Sequence, residues 1–491
     1  MNILLLSPPY EADSENAGVF PPLGLAYVAS VLREKKHNVK IIDFSLGKVR
    51  QRRKGYYWYG KNYLEIKQEL KKYKPDLIGL GCFFSIRFPY ASKIAKICKS
   101  LFPKTPVVIG GIHATVNPRL VLENKDIDYI VFGEGEDTVI DLVEAIHRKK
   151  GLEIVDGITY RKERKIFINP KTKFIENLDK LPLPARDLLD MEAYISDRTI
   201  RWNLNSRRHA SIFTSRGCPN HCTFCSMYYI NGRIFRGRDP IGVVDEIEQL
   251  VKDYQIEEIS FEDDNLTFDK DRTIKICKEI VKRKLKIHWN TPNGISAKTL
   301  DKEVLTWMKK AGCIAVNIAI ESGDPYILNQ IIRKGLSLDK TKEVVYIANK
   351  VGLIVNAYFV LGMPGETRES VNRTIKFACN LPLYDVGISF ATPFKGTELY
   401  DICIKNKYVP QNIEDIMLKK GFRLYGTPLI ETPLLNKKEL LRLKRKFYLL
   451  FHFSKLVKRP IQFIKYFMDN KQLLLPGINY LKGAFTKSAN Y

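Results

Sequence analysis

Short apolar runs alternate with stretches of helical period through the first 150 residues. Runs at 2–6, 39–43, 77–81, 107–109 and 129–131 read as strands, and the stretches 23–35, 63–72, 89–100, 118–123 and 138–149 read as helices. Strands that are apolar throughout, alternating with helices, predict a parallel sheet covered on both faces, and right-handed crossovers make it doubly wound. Ligands of such sheets sit beyond the carboxyl ends of the strands. There the chain places Ser7-Pro8-Pro9, Gly81-Cys82-Phe83, Gly110-Gly111 and Gly133-Glu134-Gly135-Glu136.

A connector follows over 151–207. Alternation at 157–161 and 165–168 predicts a hairpin, and Leu181-Pro182-Leu183-Pro184 reads as a linker. From 208 to 400 the strand-helix alternation resumes with longer helices. Its six candidate strands, 211–214, 258–261, 287–290, 314–320, 355–361 and 386–390, predict a partial (β/α)6 barrel with its active site on the loops after the strands. The fold class is thus α/β, with a helical region at 401–491. In that region Leu440, Leu443, Phe447, Leu450 and Phe451 fall on one helical face, while Lys444, Arg445 and Lys446 occupy others. Such a stripe demands burial, and the expectation is a cover over the active site with a cationic outer surface, with packing on the barrel alone as the plainer and favoured alternative.

Composition narrows the class. With 45% apolar and 27% charged residues in 491, a disordered chain, a collagen and a small disulfide scaffold are excluded. No run approaches the roughly 18 apolar residues of a spanning helix, and the opening MNILLLSPPY lacks the features of a cleaved leader. The expected location is cytoplasmic. The formal charge of +26 favours anionic partners, competing with the plainer reading of solvated cationic faces. Positions 431–491 hold thirteen basic against three acidic side chains, which points to peripheral contact with an acidic membrane. A second basic concentration at 48–74 surrounds Tyr56-Tyr57-Trp58-Tyr59.

The nine cysteines are scattered except for Cys218, Cys222 and Cys225. Three thiolates at C-x3-C-x2-C directly after a strand can wrap one face of a cubane cluster and leave its fourth iron open to a cofactor or substrate. A zinc site completed by His221 or a distant residue is the rival on spacing alone.

With Phe224 in the aromatic slot before Cys225, the segment 216–226 resembles the radical S-adenosylmethionine (SAM) superfamily, and the resemblance covers about 206–400. It implies a [4Fe-4S] cluster on Cys218, Cys222 and Cys225, with SAM chelated at the open iron and cleaved to a 5′-deoxyadenosyl radical that abstracts hydrogen. It also implies an external electron donor such as a flavodoxin or ferredoxin. Around SAM, Glu262 or Asp263 in Phe261-Glu-Asp-Asp-Asn265 takes the place of the family's Gly-Gly-Glu, Glu321 and Ser322 resemble the ribose position, and Gly362, Pro364 and Gly365 the turn beside adenine. Lys395 stands where relatives commonly have proline.

The doubly wound front half resembles the cobalamin-binding branch of that superfamily. Gly81 lies in the turn where corrinoid domains have Ser-x-Leu, Gly110 and Gly111 match the Gly-Gly at the corrin tail, and Gly133 and Glu134 belong to a signature of the branch. The branch's cobalt-ligating histidine motif is absent after the first strand, so the expectation is cobalamin bound without a histidine ligand, with His113 in a structural role. The resemblance implies methylation of an unactivated carbon, one SAM supplying methyl to cobalt and another the radical. Radical cyclisation or rearrangement on the same architecture is the alternative, and a non-catalytic corrinoid- or zinc-binding protein is the second. The expected substrate is a small or lipid-like molecule. Nucleic acid is disfavoured because Cys82 and Cys98 are too few for a second cluster and the tail has no all-β RNA-binding pattern.

Overall fold

The computed structural model describes residues 1–12, 18–53, 55–148, 151–195, 208–420 and 426–469. The end of the expected connector, 196–207, and the tail from 470 lie outside the described residues.

Asn2–Ser7 is an interior strand of the front sheet, one in from its edge, and its residues are apolar on both faces. It pairs in parallel with Asn38–Asp43 on one side and Leu77–Gly81 on the other, followed by Val107–Gly110 and Tyr129–Val131. Strand order therefore reverses beside the first strand, and the crevice of this doubly wound sheet opens at the ends of Asn2–Ser7 and Leu77–Gly81. Helices Leu23–Glu34 and Glu136–Arg148 bury one face of the sheet, and Tyr63–Leu70 with Phe88–Leu101 bury the other. The hairpin forms as Ile158–Lys162 and Lys165–Asn169 and adds two antiparallel strands beside Tyr129–Val131, so it extends the front sheet and leaves that strand no open edge.

Tyr56-Tyr57-Trp58-Tyr59, surrounded by charge in the sequence, forms the middle strand of a small antiparallel sheet with Tyr10–Ala12 and Val49–Arg53. Trp58 and Tyr59 are buried, and Tyr59 stacks on Tyr10 with ring centres 4.9 Å apart. These aromatics are a miniature core.

Six parallel strands in chain order make the second sheet: His209–Ile212, Glu258–Phe261, His288–Ile295, Cys313–Glu321, Ile354–Leu361 and Asp385–Phe390. The order is linear, giving the partial barrel that six β/α units allow. Ile212, Phe261, Trp289, Val316, Ile318 and Phe359 pack against the surrounding helices. Alternate positions are polar and bond across strands: Asn290 Nδ2 donates to Glu258 Oε1 at 3.0 Å, and Asn356 Nδ2 to Asn317 Oδ1 at 2.8 Å. Period-two alternation thus separates an apolar outside from a polar inside.

Helix Lys437–Lys458 lies along Arg368–Asn380 and inserts Leu440, Leu443, Phe447 and Phe451 into the barrel's own core. Phe447 meets Phe359 with ring centres 5.2 Å apart. Leu450, expected on this face, stays 40% exposed because the helix turns its 447–451 edge inward. Only the start of the helix reaches the active-site end. Leu440 touches Gly362, whereas Lys455 Nζ donates to the Tyr384 carbonyl at the opposite end. Helix Pro460–Asp469 folds beneath, with Tyr466 Oη on Asp385 Oδ2 at 3.2 Å. Among the described residues, no helix is long and apolar enough to cross a membrane.

Candidate functional site

Past the first barrel strand, Ser215–Arg216 pairs with Arg236–Gly237, and this two-residue ladder is the neck of a loop carrying Cys218, Cys222 and Cys225. The loop is fastened on several sides. Asp264 Oδ2 accepts from Gly217 N at 3.2 Å and Asn231 Nδ2 at 2.8 Å. Thr223, between two of the cysteines, donates through N to Ile332 O at 3.1 Å and through Oγ1 to Ile331 O at 3.0 Å, and its carbonyl accepts from Leu399 N. Phe224 packs into an apolar cluster with Ile327, Ile331 and Met363. Its aromatic side chain therefore anchors the loop.

All three cysteines are half-buried. Burial pushes their thiols up, Cys222 to about 11, while the half-buried Lys334 ammonium within Coulombic reach pulls all three back. Metal ligation requires thiolates, so Lys334 favours the ligating form. No three His, Cys, Asp or Glu side chains among the described residues converge as one metal ion would require. A lone zinc needs its ligands about 2.0–2.3 Å from a single point. Three thiols on one short loop after a strand can wrap one face of a cubane, as their spacing predicts.

Glu321 ends the fourth strand in a left-handed backbone, φ +67°, and its Oε1 accepts from Lys334 Nζ at 2.8 Å. Glu262 accepts from Ser211 Oγ at 2.9 Å beside the loop. Gly362 and Gly365 flank a turn in which Pro364 is buried, Gly362 resting on Leu440 and Gly365 on Ile331. Glu366 closes this turn, its Oε2 accepting from Gly362 N at 2.5 Å.

Other expected contacts face elsewhere. Asp263 is buried beneath the loop and accepts from Thr214 N at 3.2 Å, Thr214 Oγ1 at 2.8 Å and Ser215 Oγ, which makes it a brace for the first strand's end. Ser322 is fully buried against helix Arg368–Asn380, with its Oγ 3.1 Å from Thr374 Oγ1. Glu134 is gripped by arginines: Oε1 lies 3.3 Å from Arg216 Nη1, and Oε2 is 2.9 Å from Arg236 Nη1 and accepts from Ile175 N at 2.8 Å. Sequence reasoning missed Lys334, which reaches the site from a loop with no spacing signature, and missed the arginines because their partner lies in another domain.

At the front sheet's crevice, a Cβ on Gly110 would make only ordinary contact, with Val131 O at 3.7 Å. Gly81 lies against Leu25. Gly111 has φ +111°, and a Cβ there would stand 2.3 Å from Cys82 O, so the abutment of two turns by itself requires a glycine here. Phe83 and Phe84 stay 48% and 50% exposed, edge to face, at the end of the third strand, an apolar rim suited to a broad planar ligand. After the first strand Ser7-Pro8-Pro9-Tyr10-Glu11-Ala12 carries no histidine, and Tyr10 is buried with the Arg87 guanidinium 4.0 Å from its ring centre. His113 is buried against Phe88, with Nδ1 3.3 Å from Asn117 Nδ2, and burial lowers its pKa to about 4. These residues fit a corrinoid that takes no histidine from the protein.

A doubly wound domain whose ligand end meets a three-cysteine loop on a partial barrel defines a radical SAM enzyme with a corrinoid domain. The radical SAM superfamily model matches residues 212–378, and the B12 binding domain model matches 14–143. An uncharacterized methyltransferase of Pyrococcus horikoshii is 34% identical over 92% of this chain and 92% of its own length. The chain belongs to the family of radical SAM enzymes with B12-binding domains, an enzyme family of methyltransferases that also has cyclase relatives. Cytidylyl-2-hydroxyethylphosphonate methyltransferase of Streptomyces wedmorensis is 29% identical over 79% of this chain and 78% of its own. The anaerobic magnesium-protoporphyrin IX monomethyl ester cyclase of Rubrivivax gelatinosus is 27% identical over 90% of this chain and 75% of its own. Among solved structures, the radical SAM methyltransferase TsrM from Kitasatospora setae superposes with a TM-score of 0.66 at 19% identity, covering 83% of this chain and 77% of that one, a likeness of fold. The cofactors of the family are a [4Fe-4S] cluster, SAM and cobalamin, and the reading as a non-catalytic zinc or corrinoid binder falls.

Proposed function

We propose that the protein methylates an unactivated carbon of a small or lipid-like molecule. The carrying observation is the contact between the two halves: the cysteine loop's helix Tyr228–Asn231 packs on Ile112–Val116, directly after the Gly110-Gly111 turn. When bound, the cluster supplies the electron that cleaves SAM, and the cobalamin carries the methyl group. Cys218, Cys222 and Cys225 hold the cluster, Phe224 and Thr223 fix the loop, and Lys334 offsets thiolate charge. Glu262, Glu321 and the Gly362–Gly365 turn frame the space for SAM. A flavodoxin or ferredoxin is the expected reductant.

The outer face of the C-terminal helices supports contact with an anionic lipid surface. Its first half carries exposed Arg442, Arg445 and Lys446, and its far end exposes Phe453, Val457, Ile461 and Ile464. Cations beside an apolar tip match the headgroup and acyl layers of such a membrane.

Anaerobic reconstitution with SAM, cobalamin and reductant, then incubation with extract of cells lacking the protein, tests the reaction by mass. The expected result is one extract species that gains a methyl group. A species that loses hydrogen or closes a ring without gaining carbon would establish cyclisation instead, the reading favoured by the cyclase relatives.

A further inference from the structure

Glu134 sits where the front domain meets the neck of the cysteine loop. Arg216 and Arg236 face each other across the two-residue ladder that closes this loop, and Glu134 contacts both. Arg216 also donates through Nη2 to Glu136 Oε1 at 2.6 Å, so two carboxylates of Gly133-Glu-Gly-Glu meet a residue two positions before Cys218. We propose that Glu134 is a positioning residue, whose grip on both arginines fixes the spacing and tilt of the cluster loop relative to the corrinoid end of the front sheet.

Three features carry this. The ladder pairs only Ser215 with Gly237 and Arg216 with Arg236, too short to hold a nineteen-residue loop at a set angle unaided. Glu134 is 2% exposed, and charge-assisted bonds in so dry a place are strong and directional, whereas simple adhesion between domains could be had from apolar packing. The Gly133-Glu-Gly-Glu turn is itself fastened to the crevice: Gly133 N donates to Thr115 Oγ1 at 3.2 Å, and Thr115 Oγ1 donates to Gly111 O at 3.0 Å. A Cβ on Gly133 would stand 3.1 Å from Tyr229 O, so the backbones of the two domains abut there. From Gly111 to Cys218 the path runs through bonded neighbours, with Glu134 as the charged link.

The test uses the full chain, reconstituted anaerobically with cluster and cobalamin, as wild type, Glu134→Gln and Glu134→Asp. Gln keeps the size and removes the charge, and Asp keeps the charge and retracts it by one methylene. Iron and cobalamin contents should match wild type in both. The readout is microwave power saturation of the cob(II)alamin electron spin resonance signal with the cluster oxidised and then reduced, because the reduced cluster speeds relaxation of a nearby cobalt spin with a steep dependence on distance. The relaxation enhancement is expected to fall severalfold in Glu134→Gln, with Glu134→Asp between. Enhancement equal to wild type in Glu134→Gln overturns the proposal, and so does loss of iron and cobalamin from both variants, which would make Glu134 a general folding residue.

Discussion

Glu366 Oε2 accepts the amide hydrogen of Gly362 within the turn that ends the fifth barrel strand, while its Oε1 is buried without a partner. Burial pushes this carboxyl up to about 8, so it is held as the neutral acid at neutral pH. A folded-state pKa above the unfolded one gives stability that is complete below about 4.5 and lost as pH rises through about 8. Glu366→Gln keeps the acceptor and removes the titration. Its Tm should exceed that of wild type by a margin that widens from about pH 5 to about pH 8. A margin independent of pH in thermal scans would show that another group titrates.

Replacing Cys218, Cys222 or Cys225 singly by Ala should leave iron at a small fraction of wild type and abolish SAM cleavage, because two thiolates hold a cubane poorly. Iron assay, absorbance of the brown protein and 5′-deoxyadenosine formation check this together. Undiminished iron in all three variants would remove these residues from the cluster.

Gly111→Ala places a methyl 2.3 Å from the Cys82 carbonyl oxygen on a backbone of φ +111°. Strain of about 1–3 kcal/mol is expected, read as a lower urea midpoint for the front domain. A bulkier substitution here would unseat the turn before it could report on the corrinoid.

Phe447→Ala empties a fully buried position against Phe359 and should cost about 3–5 kcal/mol of barrel stability by denaturant titration. A cost below 1 kcal/mol would show that helix Lys437–Lys458 merely rests on the barrel.

Vesicle sedimentation tests the lipid surface. Wild type should pellet with anionic vesicles at low salt and less at high salt, each nearby Lys or Arg contributing about 1 kcal/mol. The double substitution Ile461→Glu, Ile464→Glu should abolish pelleting. Binding indifferent to lipid charge, salt and both substitutions would assign the face to another partner.

The apolar runs alone made the main architecture legible, because a strand buried on both faces has almost no other composition open to it. The same logic located each barrel strand, whose alternation carries the apolar outside. It failed where pattern says nothing about neighbours. The hairpin at 157–168 was visible, but not that it completes the front sheet, since alternation fixes a strand's faces and leaves its edge partner open. Tyr56–Tyr59 hid among lysines and arginines because aromatics in a small three-stranded sheet bury themselves against one another. At the site, the cysteine spacing announced itself. The assignments of Asp263, Ser322 and Glu134 rested on position at strand ends, and there a carboxylate or hydroxyl can turn inward to brace the loop as readily as outward to a ligand. Arg216 and Glu134 lie 82 residues apart, a separation over which no local period speaks.

The barrel's core includes Leu440, Leu443, Phe447 and Phe451, which the ribosome makes long after the last strand, Asp385–Phe390. At about 5–20 residues per second, the six strands wait several seconds in the emerging chain with one flank of their hydrophobic interior uncovered. The front sheet, complete by Asn169, is finished well before then. Synthesis therefore delivers a folded N-terminal half tethered to an unfinished barrel, and a chain released early near residue 400 would carry every cysteine of the loop yet expose the surface that chaperones and proteases recognise.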